Sequence, residues 1–167
     1  MTTNTTCSAD LEFRTIDLVR DADAAVAFRR DSYICSFGTD EAFGQVDSYL
    51  DWLRERISRQ PRGHVHIWNG ASLIGQLEML VQQTSPVRGY INLFYLVPEM
   101  RGRGFGDAIQ HYAIEHMRAG GARFVRLSVS PTNTRAISYY LKHSWRDLGP
   151  RPDDASVRLM ELLLEGG

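Results

Sequence analysis

The sequence predicts an α/β domain built on a mixed sheet with helices on both faces, and three observations carry that prediction. Strand and helix periodicities alternate along the chain, the pattern of helices layered over a sheet. Two alternating runs, His64 to Trp68 and Leu77 to Val81, face each other across an Asn69-Gly70 turn signal and predict a central hairpin. An apolar run, Ile91 to Val97, leads through Arg101-Gly102-Arg103-Gly104-Phe105-Gly106 into an amphipathic pattern, which is a strand, a glycine-rich turn and a helix in succession.

Met1 to Ala9 reads as a disordered leader and residues 10–165 as one domain. Leu11-Glu12-Phe13 opens the first strand. Ala24, Ala27 and Phe28 mark a helix after a cap-like Asp21. Val46, Tyr49, Leu50, Leu53 and Ile57 give a second helix its apolar stripe, with Ser36 to Asp40 as the loop between. Thr84-Ser85-Pro86 breaks the returning hairpin strand, and Ile91 to Val97 is apolar on both faces, as a central strand is. Ala108, Ile109, Tyr112, Ala113 and Met117 form the buried face of the next helix, which Gly120-Gly121 ends. Val125, Leu127 and Val129 alternate in a strand; Ala136, Ile137, Tyr140 and Leu141 share a face of a short helix; Val157 to Leu164 is a terminal strand. The order is βααβββαβαββ, with no internal repeat or linker.

The glycine-rich turn is an anion site in form. The first N–H groups of a helix lack intrahelical partners and carry about half a positive charge, so a phosphate placed there gains hydrogen bonds and field together. Arg101 and Arg103 add full charges, and Gly102, Gly104 and Gly106 let a ligand approach the backbone. A dinucleotide fingerprint needs a third glycine where Asp107 stands, and a Walker loop needs a lysine, of which the chain has only Lys142. What remains is [R/Q]-x-x-G-x-[G/A], met by Arg101, Gly104 and Gly106.

A second motif follows at a suitable distance. Asn133-Thr134-Arg135-Ala136-Ile137-Ser138-Tyr139-Tyr140, continued by Lys142-His143-Ser144-Trp145, is similar to N-x-x-A-x-x-x-Y-x-x-x-G-F. Together the two motifs resemble the GNAT superfamily of N-acetyltransferases, from about Ile91 to Arg146, with Ser144 and Trp145 departing from the usual Gly-Phe and predicting a slightly altered turn. The resemblance implies the GNAT fold, in which the strand before the phosphate loop and the strand after its helix are parallel and splay apart, here Ile91 to Val97 and Phe124 to Val129. It also implies acetyl-CoA as cosubstrate, its pantetheine arm entering the gap, and transfer to a primary amine by direct attack in a ternary complex.

Site roles follow from that resemblance. Backbone amides from Arg103 through Gly104 and Phe105 to Gly106 hold the pyrophosphate with Arg101 and Arg103, so that Arg103→Ala is expected to weaken coenzyme binding. Leu96 and Val97 offer backbone groups to pantetheine, and Asn133, which also reads as a helix N-cap, bonds it from the other side. Tyr140 is the general acid that protonates the departing thiolate, a phenol near 10 facing a thiol near 8.5, while Tyr139 packs. The central strand carries no carboxylate, so the base stays open between a water positioned by Asn92 and Glu78 of the preceding strand, which equally reads as a solvated glutamate. Acceptor candidates are Tyr33, Phe37, Asp40, Glu41 and Phe43, then Arg151, Asp153 and Asp154. Aromatics mixed with acids suit a small cationic amine; a peptide N-terminus or lysine, or acyl-CoA binding without turnover, is the alternative, and a nucleotide-binding module a third. Family members often pair through edge or C-terminal strands, which leaves a homodimer open.

Composition bounds the partners. With 167 residues, 43% hydrophobic, and a formal net charge of -1, the chain can bury a core but has no electrostatic footprint for nucleic acid. Its basic residues are arginine apart from Lys142, which reads as a coding bias. Cys7 and Cys35 have no metal-ligand spacing and read as free thiols of a reducing, cytoplasmic compartment. No run is long and apolar enough for a membrane span, no signal peptide is legible, and Asn4-Thr5-Thr6 carries no meaning as a glycan acceptor without one. His64 and His66, i and i+2 on one strand face without a third ligand, read as a surface pair with no metal.

Overall fold

The computed structural model describes residues 10–164, so the leader expected over Met1 to Ala9, with Cys7 and the Asn4-Thr5-Thr6 triplet in it, lies outside the described residues. The elements are β1 (Leu11–Thr15), α1 (Ala22–Phe37), α2 (Val46–Arg59), β2 (His64–Asn69), β3 (Ser72–Gln82), β4 (Arg88–Leu96), α3 (Phe105–Ala119), β5 (Phe124–Val129), α4 (Thr134–Lys142), β6 (Arg146–Arg151) and β7 (Asp154–Leu163). Their order is the expected βααβββαβαββ. Boundaries differ where a glycine sets them. Helix α1 continues through Ser36 and Phe37, the first part of the expected loop, until Gly38 at φ 77 donates its N–H to the Ile34 carbonyl. The β2–β3 turn is Gly70-Ala71, one residue later than expected: Asn69 stays paired with Ser72, and Gly70 supplies the positive φ of 60.

The seven strands lie in the order β1-β2-β3-β4-β5-β7-β6. Every neighbouring pair is antiparallel except β4 and β5, which run parallel. One face of the sheet is an apolar core in which Val65, Ile67, Leu77 and Met79 meet Ile109, Ala113 and Met117 of α3. The other face carries His64, His66, Gln76 and Glu78, with Phe28 of α1 against His66 and Tyr49 of α2 against Glu78. Strands β2 and β3 are inner strands roofed by helices on both sides, so the period-2 alternation that buries Leu77 and Met79 also buries the polar row between them. His64 and His66 are therefore not a surface pair, being 0% and 1% exposed, and Glu78, at 0%, is not a solvated glutamate.

Two irregularities position the cleft. Between β3 and β4, Glu78 pairs with Leu93 and Met79 with Ile91, leaving Asn92 as the extra residue of a β-bulge. A bulge bends and twists its strand. The parallel ladder between β4 and β5 ends one residue before it, at Ile91 opposite Leu127, although β4 runs on to Leu96 and β5 to Val129. The sheet thus opens as a wedge from Asn92 onward, in the segments expected to splay.

Candidate active site

One wall of the wedge is the start of α3. Gly102 and Gly104 sit at φ 74 and 88, in the left-handed region, and turn the chain into the helix. Gly104 is the N-cap and no side chain caps the first turn, which leaves its amides for a ligand. At Gly106 a Cβ would lie 3.1 Å from the Tyr139 ring, so glycine there permits the close approach of α3 and α4. Across the wedge Asn133 caps α4, its Oδ1 accepting from the Ala136 N–H at 3.2 Å.

Between these walls lies a cavity of about 580 Å³. Of the expected coenzyme residues, Leu96, Arg101, Gly104, Gly106 and Asn133 line it together with Tyr140. Val97, Arg103 and Phe105 do not: the Val97 N–H donates to the Ile74 carbonyl at 2.8 Å, Phe105 packs against the apolar core, and Arg103 is exposed. Arg101 braces the strand end, its Nε donating to the Leu96 carbonyl at 2.7 Å and its guanidinium lying 3.5 Å from Asp31 and over the Tyr95 ring. The cations in the wall without an ion pair among the described residues are Arg135 and Lys142. Arg135 reaches the loop, 3.0 Å from where a Gly102 Cβ would stand. Asp107, in the first turn of α3, accepts from Tyr139 Oη at 3.3 Å and lies 2.8 Å from His143 Nε2, tying the end of α4 to the start of α3.

Tyr140 is 8% exposed, set between the rings of Tyr139 and Trp145. Its hydroxyl makes no hydrogen bond to any described residue, and burial pushes its pKa above the ordinary phenol value, so it is a proton donor throughout the neutral range. The segment after it departs from the motif only in composition. Ser144 adopts φ 71, the conformation a glycine would supply, and the Trp145 N–H closes onto the Tyr140 carbonyl at 3.0 Å.

A second cavity of about 530 Å³ abuts the first, the two sharing Ser32 and Ser36 of α1. It holds Tyr33, Phe37, Arg151 and Asp154 of the expected acceptor residues, with Asn92 on its floor. Asp40, Glu41, Phe43 and Asp153 are not in its lining: Asp40 lies 3.8 Å from Arg30, Phe43 packs on Tyr49, and Asp153 holds Arg151 Nε at 2.6 Å. Both polar ends of Asn92 are pinned, its carbonyl accepting from Arg29 at 3.1 Å and its Oδ1 from Arg56 at 3.2 Å. Glu78 lies behind the cleft. Its Oε1 takes Arg29 at 3.1 Å, and its Oε2 takes the Tyr49 hydroxyl at 2.6 Å and the Gln76 amide at 2.7 Å. Burial, then Glu78 beside it, raises the Tyr49 pKa far above an ordinary phenol.

Sequence reasoning missed Arg29, Tyr90, Ser128, Arg135 and Lys142. Arg135 and Lys142 sit inside the second motif and were open to view; Arg29 has no local signal, because its meaning comes from Glu78, 49 positions away. Among the described residues no group of three or more His, Cys, Asp or Glu side chains is placed to hold a metal, and no helix is long and apolar enough to cross a membrane.

Comparison with known proteins gives a consistent picture. Residues 26–145 match the model of the acetyltransferase (GNAT) family. The mycothiol acetyltransferase of Corynebacterium glutamicum strain R is 32% identical over 110 residues, 62% of this chain but 37% of that protein, so the chain matches little more than a third of the length of its curated relatives. Among solved structures, the PaiA N-acetyltransferase of Thermoplasma acidophilum in complex with coenzyme A has a TM-score of 0.67 at 19% identity, covering 92% of this chain and 99% of its own. A phosphinothricin N-acetyltransferase structure reaches 0.73 at 16% identity, covering 93% and 99%. At such identities these structures speak to the fold.

Proposed function

Because this chain belongs to the acetyltransferase (GNAT) family, we propose that it transfers an acetyl group from acetyl-CoA to a primary amine by direct attack in a ternary complex. The observation that carries this reading is the pair of cavities meeting at Ser32 and Ser36 across the opened edge of β4, one walled by a helix N-terminus and the other polar. The amides of the first α3 turn and the cations Arg135 and Lys142 hold the coenzyme phosphates. Phe94, Tyr95 and Leu96 flank the pantetheine arm with Asn133 opposite, and the arm fills the strand-wide gap that β5 leaves beyond Ile91.

The amine nitrogen attacks the thioester carbon, the C–S bond breaks, and Tyr140 donates its proton to the thiolate. An alkylamine near pKa 10.4 is neutral in only about one molecule in a few thousand at pH 7, so the attacking nitrogen must also lose a proton. Glu78 has each oxygen committed and no opening to either cavity, so it serves as the anchor of Arg29. A water on Asn92, whose side-chain N–H2 makes no bond to a described residue, takes the proton instead. A small amine suits the cleft better than a protein chain, since α1 walls it on one side and the β6–β7 hairpin on the other.

The test is a titration with acetyl-CoA against ATP and NADH, followed by thiol release over an amine panel with wild type and Tyr140→Phe. Selective coenzyme binding is expected, and the variant should lose about a hundredfold in turnover with coenzyme affinity unchanged. Full turnover in Tyr140→Phe would remove the acid from Tyr140; coenzyme binding without thiol release for any amine would make the chain a binding module.

A further inference from the structure

We infer that the acceptor is a small amine that also carries a carboxylate, and that Arg151 is the group that reads it. This rests on the acetyl-transfer reading and narrows its substrate class.

The acceptor cleft is not the acid-lined groove expected for a cation. Two guanidiniums, Arg29 and Arg151, face a single carboxylate, Asp154. That carboxylate is already engaged: its Oδ1 accepts from the Ser156 N–H at 3.1 Å and the Ser156 hydroxyl at 2.5 Å, and its Oδ2 lies 3.8 Å from Arg151. Glu78, with no surface exposed, offers nothing to a ligand. The distal ammonium of a polyamine would therefore meet donors wherever it turned. A ligand oxyanion would meet them as partners.

Arg151 has the capacity to bind it. Its Nε is held from behind by Asp153, and one NH1 hydrogen goes to Ser128 Oγ at 3.0 Å. The terminal NH2 makes no hydrogen bond, and the side chain is 29% exposed at the cleft. A guanidinium fixed on one edge with its other edge open is suited to a bidentate carboxylate. Its position also sets a distance. Ser128 directly follows Leu127, the last residue of β5 paired with β4, so the guanidinium is tethered at the mouth of the wedge where the thioester is presented. Amine and carboxylate must then lie a few bonds apart, as in an α- or β-amino acid. Tyr90 Oη, 2.6 Å from Ser128 Oγ, fixes the serine that tethers the arginine.

The experiment is thiol release at saturating acetyl-CoA with matched pairs that differ only in the carboxylate: L-serine and ethanolamine, L-phenylalanine and phenethylamine, L-lysine and cadaverine, with spermidine added. At least one amino acid should exceed its decarboxylated partner by about tenfold or more in kcat/KM. Arg151→Gln should erase that difference through KM, leaving acetyl-CoA affinity and the slow rate with the plain amine unchanged. Thermal melting of the variant checks that the β6–β7 hairpin survives, and Arg151→Lys, which keeps charge without the fork, should recover only part of the preference. Plain amines accepted as well as their carboxylated partners, or acetyl-CoA bound with no carboxylated amine acetylated, would overturn the assignment while leaving acetyl-CoA binding intact. Failure to bind acetyl-CoA at all would instead sink the acetyl-transfer reading and this one with it.

Discussion

Replacing Glu78 by Gln separates a base from an anchor. Glu78 accepts three hydrogen bonds, two on Oε2 from Tyr49 and Gln76 and one on Oε1 from Arg29. Glutamine can keep its oxygen toward Tyr49 and Gln76, but its N–H2 then faces another donor, and the Arg29 guanidinium is left without a counter-ion in the protein interior. Breaking a buried pair from one side costs about 3–5 kcal/mol, because the surviving charge is uncompensated. For a chain of this length that is a fall in Tm of roughly 6–20 °C. Adding Arg29→Met removes the stranded charge, so the double variant should be more stable than Glu78→Gln alone, with a coupling of about 2 kcal/mol or more. Differential scanning calorimetry on the four proteins measures this, with thiol release assayed well below the lowest Tm. The anchor reasoning would be refuted if Glu78→Gln melted within about 2 °C of the parent while losing about a hundredfold in turnover, the signature of a lost general base.

Three further outcomes can be measured directly. Ser144→Gly relieves a left-handed residue and should raise stability by about 0.5–1 kcal/mol, seen as a Tm rise of roughly 2–3 °C; a fall would mean the serine side chain has a partner role. Arg135→Ala should weaken acetyl-CoA binding about tenfold to a hundredfold by calorimetry, while Arg103→Ala, outside the cavity, should change it no more than about threefold; the reverse ranking would put Arg103 on the phosphates. Burial lowers the pKa values of His64, His66 and His116, whose Nε2, Nδ1 and Nε2 atoms respectively have no partner among the described residues. Below about pH 6.5 the unfolded chain therefore binds protons that the folded one refuses, and stability must fall as pH drops from there toward the folded pKa values, by at most about 1.4 kcal/mol per pH unit for each histidine. A Tm that stays flat between pH 7 and pH 5 would contradict that burial.

The fold was legible because its signals are local. Helix stripes such as Tyr49, Leu53 and Ile57, the glycine-rich turn, and the alternation of Val125, Leu127 and Val129 each need a short window of sequence. The apolar side of the cleft was legible for the same reason, since Gly104, Gly106, Asn133 and Tyr140 lie in two short motifs. The polar row was not. Whether His64, His66 and Glu78 face water or α2 depends on where α2 docks, and nothing near them in sequence says so. The same limit hid the charge of the acceptor cleft. Asp40, Glu41, Asp153 and Asp154 are conspicuous as acids in loops, but an acid counts only by what it faces, and three of the four turn away from the cavity.

The polar row and the wedge are linked through one residue. Asn92 is the bulge, and a bulge left unpaired in the sheet exposes a carbonyl and leaves the strand free to slip back into register. Arg29 of α1 takes that carbonyl and Arg56 of α2 takes the side-chain oxygen, while Glu78 holds Arg29 from beneath. The two helices that roof the acceptor cleft thus also hold open the gap through which the acetyl group is presented. A residue at position 92 without a side-chain oxygen would lose the Arg56 contact yet keep the Arg29 one. Asn92→Ala should accordingly leave the wedge in place and act mainly on proton removal, whereas Arg29→Met frees the bulge carbonyl and should weaken the binding of acetyl-CoA itself, although Arg29 touches only the acceptor side.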